Sequence, residues 1–573
     1  MENETLPGKK TKERKDRPKK RKFHGNKYTT PTKIAKTPEK NVSRTTGVET
    51  SSSKKLQKSQ ACVDTSRQEI EGFRFVDIST LINFVVSTPC KNCLSQTSRG
   101  RSSVCTPSYS VEETLKGVNT VLIISCNICN AVVKLDFSPN QNINMRFQFS
   151  MYSVGVDIEK SNRFLACMDM PKFVSPNCSA SYRNRIHAAV SEVSSASMSS
   201  AAEELKDETG EATVSCDGTW QRRGFSSKNG VATVISVPKD KCQAVKVVDV
   251  EVLSNYCDTC AKAKCKKTEE QYRAFSHDNC QKNHTGSAGS MEPEGMVRIF
   301  ARSEDKHGLQ YTNYLGDGDS KSYRQVCEAD VYNGKEINKL ECCGHVQKRM
   351  GKRLMDKVAQ CKGQKFQENG KAYTGIGGAG RLTSKAIKPI QGHYGGAIRK
   401  NCHSVEAMRK SIWSIFHHRG GRHDLCGDWC KKDNKNVLPQ FVLDEIEPIF
   451  QDLSSDALVS KCTHGGTQNT NESFHNLIWN RCPKNIFVGR QRLEIAVLDA
   501  AVVFNDGELG RCDIFKKLNL SCGKHMVSGL QKLDSKRIKK SAARSNADKK
   551  VQRQRQQHTQ NNTTDETYEA GAF

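Results

Sequence analysis

The run ATVSCDGTW at residues 212–220 decides the fold. Apolar and polar residues alternate over 212–216, as they do in a strand with one buried face, and Asp217 follows at once. Two more β-rich runs come next, at 231–237 and 244–253. Three strands in such close succession predict an antiparallel meander.

Helical and strand-like patterns alternate after the meander. Helices are predicted at 296–305, 320–328 and 345–354, and strands at 310–315 and 337–342. An Ala/Ser/Glu-rich segment at 186–206 predicts a helix before the first strand. The order of these segments predicts an α/β fold with a mixed sheet flanked by helices.

Acidic residues stand where two of the predicted strands end. Asp217 follows the first strand, Asp317 follows the strand at 310–315, and each precedes a glycine. A third acid, Glu472, lies in a predicted helix, NTNESFHNLIW at 469–479. Carboxylates on rigid neighbouring strands can share Mg²⁺ or Mn²⁺ ions, and paired metals catalyse phosphoryl transfer.

Each acid taken alone has an ordinary explanation. An Asp-Gly pair is typical of a turn, and a Glu in a first helical turn favours the helix dipole. On the helix, Glu472 lies opposite the apolar face of Phe474, Leu477 and Ile478, with Asn471 or Thr470 as the predicted cap. The ordered arrangement of strand-Asp, strand-Asp and helix-Glu is what indicates a metal site.

Five stretches resemble one known family. They are CDGTWQRRG at 216–224, NHTGSAGSME at 283–292, YLGDGDSKSY at 314–323, ECCGHVQKRMGKRL at 341–354 and HGGTQNTNESFHNLIWNRCPK at 464–484. Together, over about residues 70–510, the chain resembles the Mutator-like transposase domain of many animal genomes, which has a ribonuclease-H-like DDE fold. The resemblance implies catalytic metal binding by Asp217, Asp317 and Glu472. Asp319 is a rival to Asp317 as the second acid, because the GDGD run offers both.

The resemblance also covers a Cys-x-x-His motif, here Cys342 and His345. Its role stays open, because both side chains could simply be buried. On the helix that follows, Lys348, Arg349, Lys352 and Arg353 form two basic i,i+4 pairs. They could bind DNA phosphates, or they could form a solvated charged face.

Cysteine pairs predict zinc sites. Cys90 and Cys93 form one CxxC knuckle, Cys126 and Cys129 form another, and two such knuckles complete a tetrahedral four-thiolate site. Cys105 lies between them without an assignment. The alternative is a set of reduced, buried cysteines.

A second Cys/His group lies between the third strand and the next helix. Cys257, Cys260, Cys280 and His284 are the predicted zinc ligands, with Cys265 and His277 as substitutes. An insertion this small cannot bury much apolar surface, so it needs a metal to hold it.

A third group comprises His417, His418, His423, Cys426 and Cys430. Its spacing is irregular, and whether it binds zinc stays open. It falls in the segment 355–465, where related transposases carry a helical insertion.

Charge is concentrated at the two ends of the chain. The net charge is +28; residues 1–60 hold 18 Lys and Arg against 6 Asp and Glu, and residues 530–555 hold 10 against 2. This favours a polyanionic partner. The run KKRK at 19–22 predicts nuclear import, with a plain basic tail as the alternative. No signal peptide or membrane span is predicted.

These observations predict the following organisation: a disordered basic tail with the import signal at 1–60, a zinc-ribbon-like module at 61–150 and a helical linker at 151–205. A ribonuclease-H-like core follows at 206–510, with a zinc insertion at 254–295 and a largely helical insertion at 355–465. Residues 511–573 are predicted to be a basic, largely disordered tail.

The predicted function is a nuclear DNA transposase that cuts and joins double-stranded DNA at the ends of a mobile element and in its target. The resemblance also implies a homo-oligomer. The alternatives are a domesticated, non-catalytic zinc-containing DNA-binding regulator and a metal-dependent nuclease without strand transfer.

Overall fold

The N-terminal part of the chain forms helices around a small sheet. We analysed a computed structural model, which describes residues 51–56, 72–97, 108–138, 143–222, 226–237, 243–318, 321–427, 430 and 437–545, all within one compact unit. The first elements are α1 (Ser51–Leu56), α2 (Ile78–Val86), α3 (Lys91–Thr97), β1 (Tyr109–Lys116), β2 (Asn119–Cys126), β3 (Val132–Asp136), α4 (Ile143–Ser153), α5 (Ile158–Cys167) and α6 (Pro176–Glu203). The three strands form an antiparallel sheet in sequence order. Helix α6 begins where Ser175 caps the backbone N–H of Cys178 and Pro176 occupies the first turn.

The central sheet confirms the predicted order of strands and helices. Its segment comprises β4 (Glu211–Trp220), β5 (Asn229–Ser236), β6 (Val247–Ser254), α7 (Asp258–Lys266), α8 (Glu269–Arg273), α9 (Met291–Ala301), α10 (Ser303–His307), β7 (Gln310–Gly316), α11 (Lys321–Glu328), β8 (Asn338–Glu341) and α12 (Cys343–Gln360). The spatial order is β6-β5-β4-β7-β8. β4, β5 and β6 pair antiparallel, whereas β7 runs parallel to both β4 and β8.

The rest of the described chain is mostly helical. It comprises β9 (Lys365–Glu368), β10 (Lys371–Thr374), α13 (Ser384–Lys400), α14 (Val405–Arg419), α15 (Gln440–Leu453), α16 (Asp456–Val459), α17 (Asn469–Arg481), α18 (Arg490–Asp506), α19 (Arg511–Lys517) and α20 (Lys524–Ser545). Helices α12–α15 share an apolar core that includes Tyr394, Ile412 and Phe450. β9 and β10 form a hairpin that turns at Asn369 and Gly370, both with positive φ.

Helices pack on both faces of the central sheet and hold its strands in place. Met296 and Phe300 of α9 pack on one face against residues such as Val234. On the other face, α6, α17 and α18 pack with Phe474 and Ile478 fully buried. Gly295 permits the close approach of α9, because a Cβ there would lie 2.7 Å from the Cβ of Ala232.

The C-terminal segment departs from the sequence-based expectation. Residues 511–545 were assigned to a largely disordered tail, but they contain α19 and α20. Phe515, Leu518 and Leu520 are buried against α4 and α6, and Asp534 accepts the backbone N–H of Glu508. The sequence did not predict these helices because their few apolar residues lie among many lysines and arginines. Within the described part of the chain, the helices are too short or too polar to cross a membrane.

Candidate metal centres

The two aspartates meet at one edge of the central sheet. Parallel pairing of β4 with β7 ends at Ser215 and Leu315, so Asp217 and Asp317 each lie two residues beyond the last pair. Adjacent strands are about 4.8 Å apart, which places the two residues side by side. β4 itself continues to Trp220 in its pairing with β5. Asp217 therefore lies within a strand, and not after its end as the sequence suggested.

The carboxyl group of Asp217 is held in a low-dielectric and negatively charged place. Burial, followed by the charge of Glu292 and that of Glu472, raises its pKa to about 8. The backbone N–H of Gly218 and the ring of His345 act in the opposite direction. A carboxyl with this pKa needs a nearby cation to ionise at neutral pH.

Glu292 is a fourth acid at this edge, and the sequence reasoning missed it. It lies in the first turn of α9, and a Cβ on Gly218 would lie 2.5 Å from its Oε2. Glycine at 218 therefore leaves the space that the carboxylate fills beside Asp217. Burial, and then the charge of Asp317, raise the pKa of Glu292, although Ser322 donates a hydrogen bond to Oε1 at 3.1 Å.

Asp317 lies among basic groups. The Nδ1 of His345 is 3.6 Å from its Oδ1, and the guanidinium of Arg349 is 3.4 Å away. Burial opposes ionisation, but the backbone N–H of Gly318, His345 and Arg349 together lower the pKa of Asp317. Arg349 also binds Glu341 at 2.8 Å. Asp317 is therefore ionised at neutral pH, in contrast to Asp217.

The Cys-x-x-His motif joins the acid edge to the start of α12. Cys342 is buried and accepts the backbone N–H of Gln468 at 3.3 Å. A hydrogen bond with Cys342 is the main cause that raises the pKa of His345, and Asp317 adds to it. The motif therefore places an imidazole with a raised pKa, that of His345, beside Asp317.

Helix α17 carries Glu472 to the same edge. Buried Asn471 bonds the Ser215 side chain at 2.7 Å and the Ser215 carbonyl at 3.1 Å, while Gln468 donates to the Cys216 carbonyl. The predicted caps are wrong: Gln468 occupies the N-cap position and makes no side-chain cap bond. These contacts fix the first turn of α17 on β4, and Glu472 itself is exposed.

His475, which the helical pattern places on the polar face, is buried beneath Asp217. Its Nε2 lies 2.9 Å from the Thr233 hydroxyl, and its Nδ1 lies 3.7 Å from Asp217 Oδ2. Burial, and then Lys484, lower the pKa of His475 to about 3. The ring is therefore neutral and supports Asp217 without countering its charge.

The donor set of this carboxylate cluster (Asp217, Glu292, Asp317 and Glu472) fits a hard divalent cation. Mg²⁺ and Mn²⁺ prefer carboxylate oxygens. Burial, and then the charge of neighbouring acids, raise the pKa values of Asp217 and Glu292. A bound divalent cation would relieve that repulsion.

The four basic residues proposed for DNA differ in their surroundings. Arg349 points at Asp317 and Glu341, and Arg353 pairs with Asp452 at 3.1 Å. Lys348 and Lys352 are exposed on α12. The two lysines therefore remain the better candidates for phosphate contact, and Arg349 belongs to the acid edge.

The first Cys/His cluster has the geometry of a four-thiolate zinc site. Cys90 Sγ lies 3.6 Å from Cys129 Sγ, and Cys93 Sγ lies 3.8 Å from Cys126 Sγ. All four sulfurs lie within 4.8 Å of one another. Cys90 and Cys93 lie at the start of α3, Cys126 ends β2, and Cys129 lies in the turn that follows.

The second cluster consists of Cys257, Cys260, Cys280 and His277. The Nε2 of His277 is 3.5 Å from Cys257 Sγ and 3.2 Å from Cys260 Sγ. Its Nδ1 donates to the carbonyl of Asp278, which turns the Nε2 lone pair toward the sulfurs.

His284 was predicted as the fourth ligand of the second cluster, and the structure places it elsewhere. Its ring is 1% exposed, with Nδ1 2.5 Å from Glu294 and Nε2 2.9 Å from Ser290. These contacts hold His284 in the turn before α9, so the substitute, His277, takes its place. The other substitute, Cys265, is exposed on α7.

The side chains of the third Cys/His group also lie close together, except for that of His417. His418, His423, Cys426 and Cys430 offer atoms within 4.8 Å of one another, whereas His417 faces Arg422. Asp319, Cys105 and the KKRK run lie outside the described residues.

The sequence was also compared with models of known protein families. A family model described as Mutator-like transposase matches residues 72–430, well over half of the chain. The chain therefore belongs to the Mutator-like transposase family, which confirms the resemblance found in its sequence. The match includes Asp217, Glu292, Asp317 and all three Cys/His clusters, and it ends before Glu472. A search of curated proteins found no match to the chain.

Proposed function

We propose that this chain is an active DDE-type DNA transposase with a ribonuclease-H-like core, which cuts DNA at the ends of a mobile element and joins it to a target. The observation that carries the proposal is the carboxylate cluster. Asp217, Asp317 and Glu292 lie at one edge of a mixed sheet, and the charge of Glu472 reaches Asp217 from α17. A transposase that had become only a binding protein would have no use for such a costly arrangement of acids.

The residues of the chain divide the work of phosphoryl transfer among them. Asp217, Asp317 and Glu472 would hold the divalent ions, and Glu292 would complete the oxygen ligands. The metal supplies the charge that activates the attacking water or 3′-hydroxyl and stabilises the leaving oxygen. Neutral His475 holds Asp217 from below. Arg349 and His345 orient Asp317 from the side.

DNA binding belongs to other parts of the chain. Lys348 and Lys352 lie exposed on α12 near the acid edge, and the basic segments at 1–60 and 530–555 add most of the net charge. Nuclear import through the KKRK run, assembly into a homo-oligomer and zinc in the first two Cys/His clusters are part of the same proposal.

The decisive experiment compares cutting with binding. The full chain is incubated with DNA that carries the authentic inverted repeats, in Mg²⁺ or Mn²⁺, and strand cleavage and end joining are measured. Asp217→Asn should reduce cleavage by about 10³-fold or more, because a neutral amide does not hold the metal. Its affinity for the same DNA should change by less than about twofold, since phosphate attraction comes from lysine and arginine.

Asp356→Asn is the matched control, because Asp356 is an exposed acid on α12, and it should retain full cleavage. Cleavage without joining would identify a nuclease. If the full chain binds the repeats but never cuts them with either metal, the domesticated regulator is the correct function.

A further inference from the structure

The helical insertion contains an excursion whose described apolar residues are not buried. Helix α14 ends at Arg419, and the backbone N–H of Leu438 donates to the Arg419 carbonyl at 2.8 Å. This bond joins the two ends of the segment, of which residues 420–427, 430 and 437 are described. None of the residues described between 420 and 437 is buried, and Leu425 and Val437 are each 40% exposed. Apolar burial therefore supplies little stability here.

The end of α14 turns the chain back upon itself. Arg422 N–H bonds the His417 carbonyl and Gly421 N–H bonds the His418 carbonyl, with Gly421 at φ +82°. This is the Schellman arrangement, which needs a residue able to adopt the left-handed conformation. It brings His423 back beside His418 on the last turn of the helix.

Four side chains meet at that point. The Nδ1 atoms of His418 and His423 are 3.1 Å apart. Cys430 Sγ lies 3.2 Å from His423 Nδ1 and 3.5 Å from His418 Nδ1. Cys426 Sγ lies 3.5 Å from His418 Nδ1 and 3.9 Å from His423 Nδ1.

These separations are the edges of a tetrahedron around a zinc ion. Zn–N bonds of about 2.0–2.1 Å and Zn–S bonds of about 2.3 Å require ligand atoms about 3.3–3.8 Å apart. Two of the N–S distances, both 3.5 Å, lie within that range, and the others, 3.2 Å and 3.9 Å, lie just below and just above it. The N–N distance of 3.1 Å is slightly short of it. Two imidazoles and two thiolates are a common structural zinc set, and the two thiolates balance the charge of Zn²⁺.

We propose that His418, His423, Cys426 and Cys430 bind a third zinc ion, which fastens the excursion between residues 420 and 437 to the end of α14. On binding, the two thiols release their protons to solvent and both imidazoles bind through Nδ1. The ion would supply the stability that the described residues of the excursion, none of which is buried, do not gain from apolar burial. The site is independent of the carboxylate cluster and of the other two Cys/His clusters.

The test uses adjacent histidines as a matched pair. His418→Gln removes a ligand, whereas His417→Gln changes a neighbour that lies outside the cluster. Zinc per full-length protein is measured by elemental analysis. We expect about three equivalents in the wild type and in His417→Gln, and about two in His418→Gln and Cys426→Ser, because a four-ligand site rarely tolerates the loss of one ligand.

Trypsin provides a second readout that does not depend on the zinc count. Arg422 is exposed within the excursion, and cleavage after it should accelerate in His418→Gln and in Cys426→Ser relative to the wild type. Circular dichroism verifies that the variants fold. If folded His418→Gln keeps the zinc content and the cleavage rate at Arg422 of the wild type, the proposal is wrong. If it loses the zinc without faster cleavage at Arg422, the fastening role is wrong.

Discussion

The carboxylate cluster and the three Cys/His clusters are built on different kinds of scaffold. The acids come from β4, from the end of β7, from α9 and from α17, and together they span residues 217 to 472. Each Cys/His cluster draws its members from one short span, at 90–129, 257–280 or 418–430. The acids depend on the completed fold, whereas each Cys/His cluster lies in a local excursion or a small sheet.

The energetic roles of the two kinds of site differ accordingly. Bringing acids together in a buried place opposes folding, as the raised pKa values of Asp217 and Glu292 show. The second cluster lies in an excursion closed at its base by the backbone bond from His284 N–H to the Ser254 carbonyl, much as the third is closed by Leu438 and Arg419. We infer that the acids serve chemistry at a cost in stability, and that the Cys/His clusters supply stability where apolar burial is small.

Glu292→Gln should give the largest effect among the tests that separate catalytic acids from stabilising Cys/His clusters. The amide keeps the size of the side chain but removes the charge beside Asp217, so DNA cleavage should fall by about 100-fold, equivalent to about 2.7 kcal/mol. DNA affinity and zinc content should not change. Cleavage is measured at saturating DNA across a Mg²⁺ titration, where the loss of a ligand also raises the metal concentration required.

Glu328→Gln is the control, because Glu328 is an exposed acid on α11. If Glu292→Gln cleaves DNA at the wild-type rate with an unchanged Mg²⁺ requirement, Glu292 lies outside the metal site.

Substitution of the cysteine ligands should reduce zinc content and stability. Cys257→Ser and Cys90→Ser should each lose about one equivalent of zinc and lower the denaturant midpoint, because zinc binding at these sites is part of folding. Cys265→Ser, at an exposed position near the end of α7, should retain all of its zinc. Elemental analysis and urea unfolding measure both effects. A Cys257→Ser protein with its full zinc content would remove the second cluster from the zinc sites.

The sequence was informative wherever local pattern sets structure. Apolar alternation and β-rich runs predicted the meander, and the alternation of strand-like and helical patterns after it predicted the order of the remaining elements along the chain. CxxC spacing selected the first Cys/His cluster with all of its members. These signals act over a few residues, so they are visible without the fold.

The sequence failed where a contact is made across the fold. Glu292 closes the NHTGSAGSME stretch, but an acid in a first helical turn is ordinarily a dipole partner. Its position beside Asp217 depends on the missing side chain of Gly218. The spacing of Cys280 and His284 is attractive for zinc, yet Glu294 and Ser290 hold the His284 ring. Residue spacing does not reveal such competition.

The pH dependence of stability gives the smallest effect, and it isolates the cost of the acids. Asp217 has a pKa of about 8 in the folded chain and an ordinary value of 3.8. Between these values the folded state holds a proton that the unfolded state has released, so the stability that this proton contributes is lost as pH rises toward 8. We expect the Tm of Mg²⁺-free protein, with its zinc retained, to fall between pH 6 and pH 8.5.

Asp217→Asn should show a smaller fall, and the difference from the wild type should be about 2–4 °C. Mg²⁺ should restore the wild-type Tm at pH 8.5 more than at pH 6, because the ion binds the ionised acid, and it should have little effect on Asp217→Asn. Thermal unfolding at the two pH values, with and without Mg²⁺, measures all four combinations. His345 also has a raised pKa and is present in both proteins. The contribution of Asp217 is therefore measured by the difference in Tm between the wild type and Asp217→Asn. Equal slopes in wild type and Asp217→Asn would mean that the acids do not oppose folding, and the contrast with the Cys/His clusters would then rest on ligand chemistry alone.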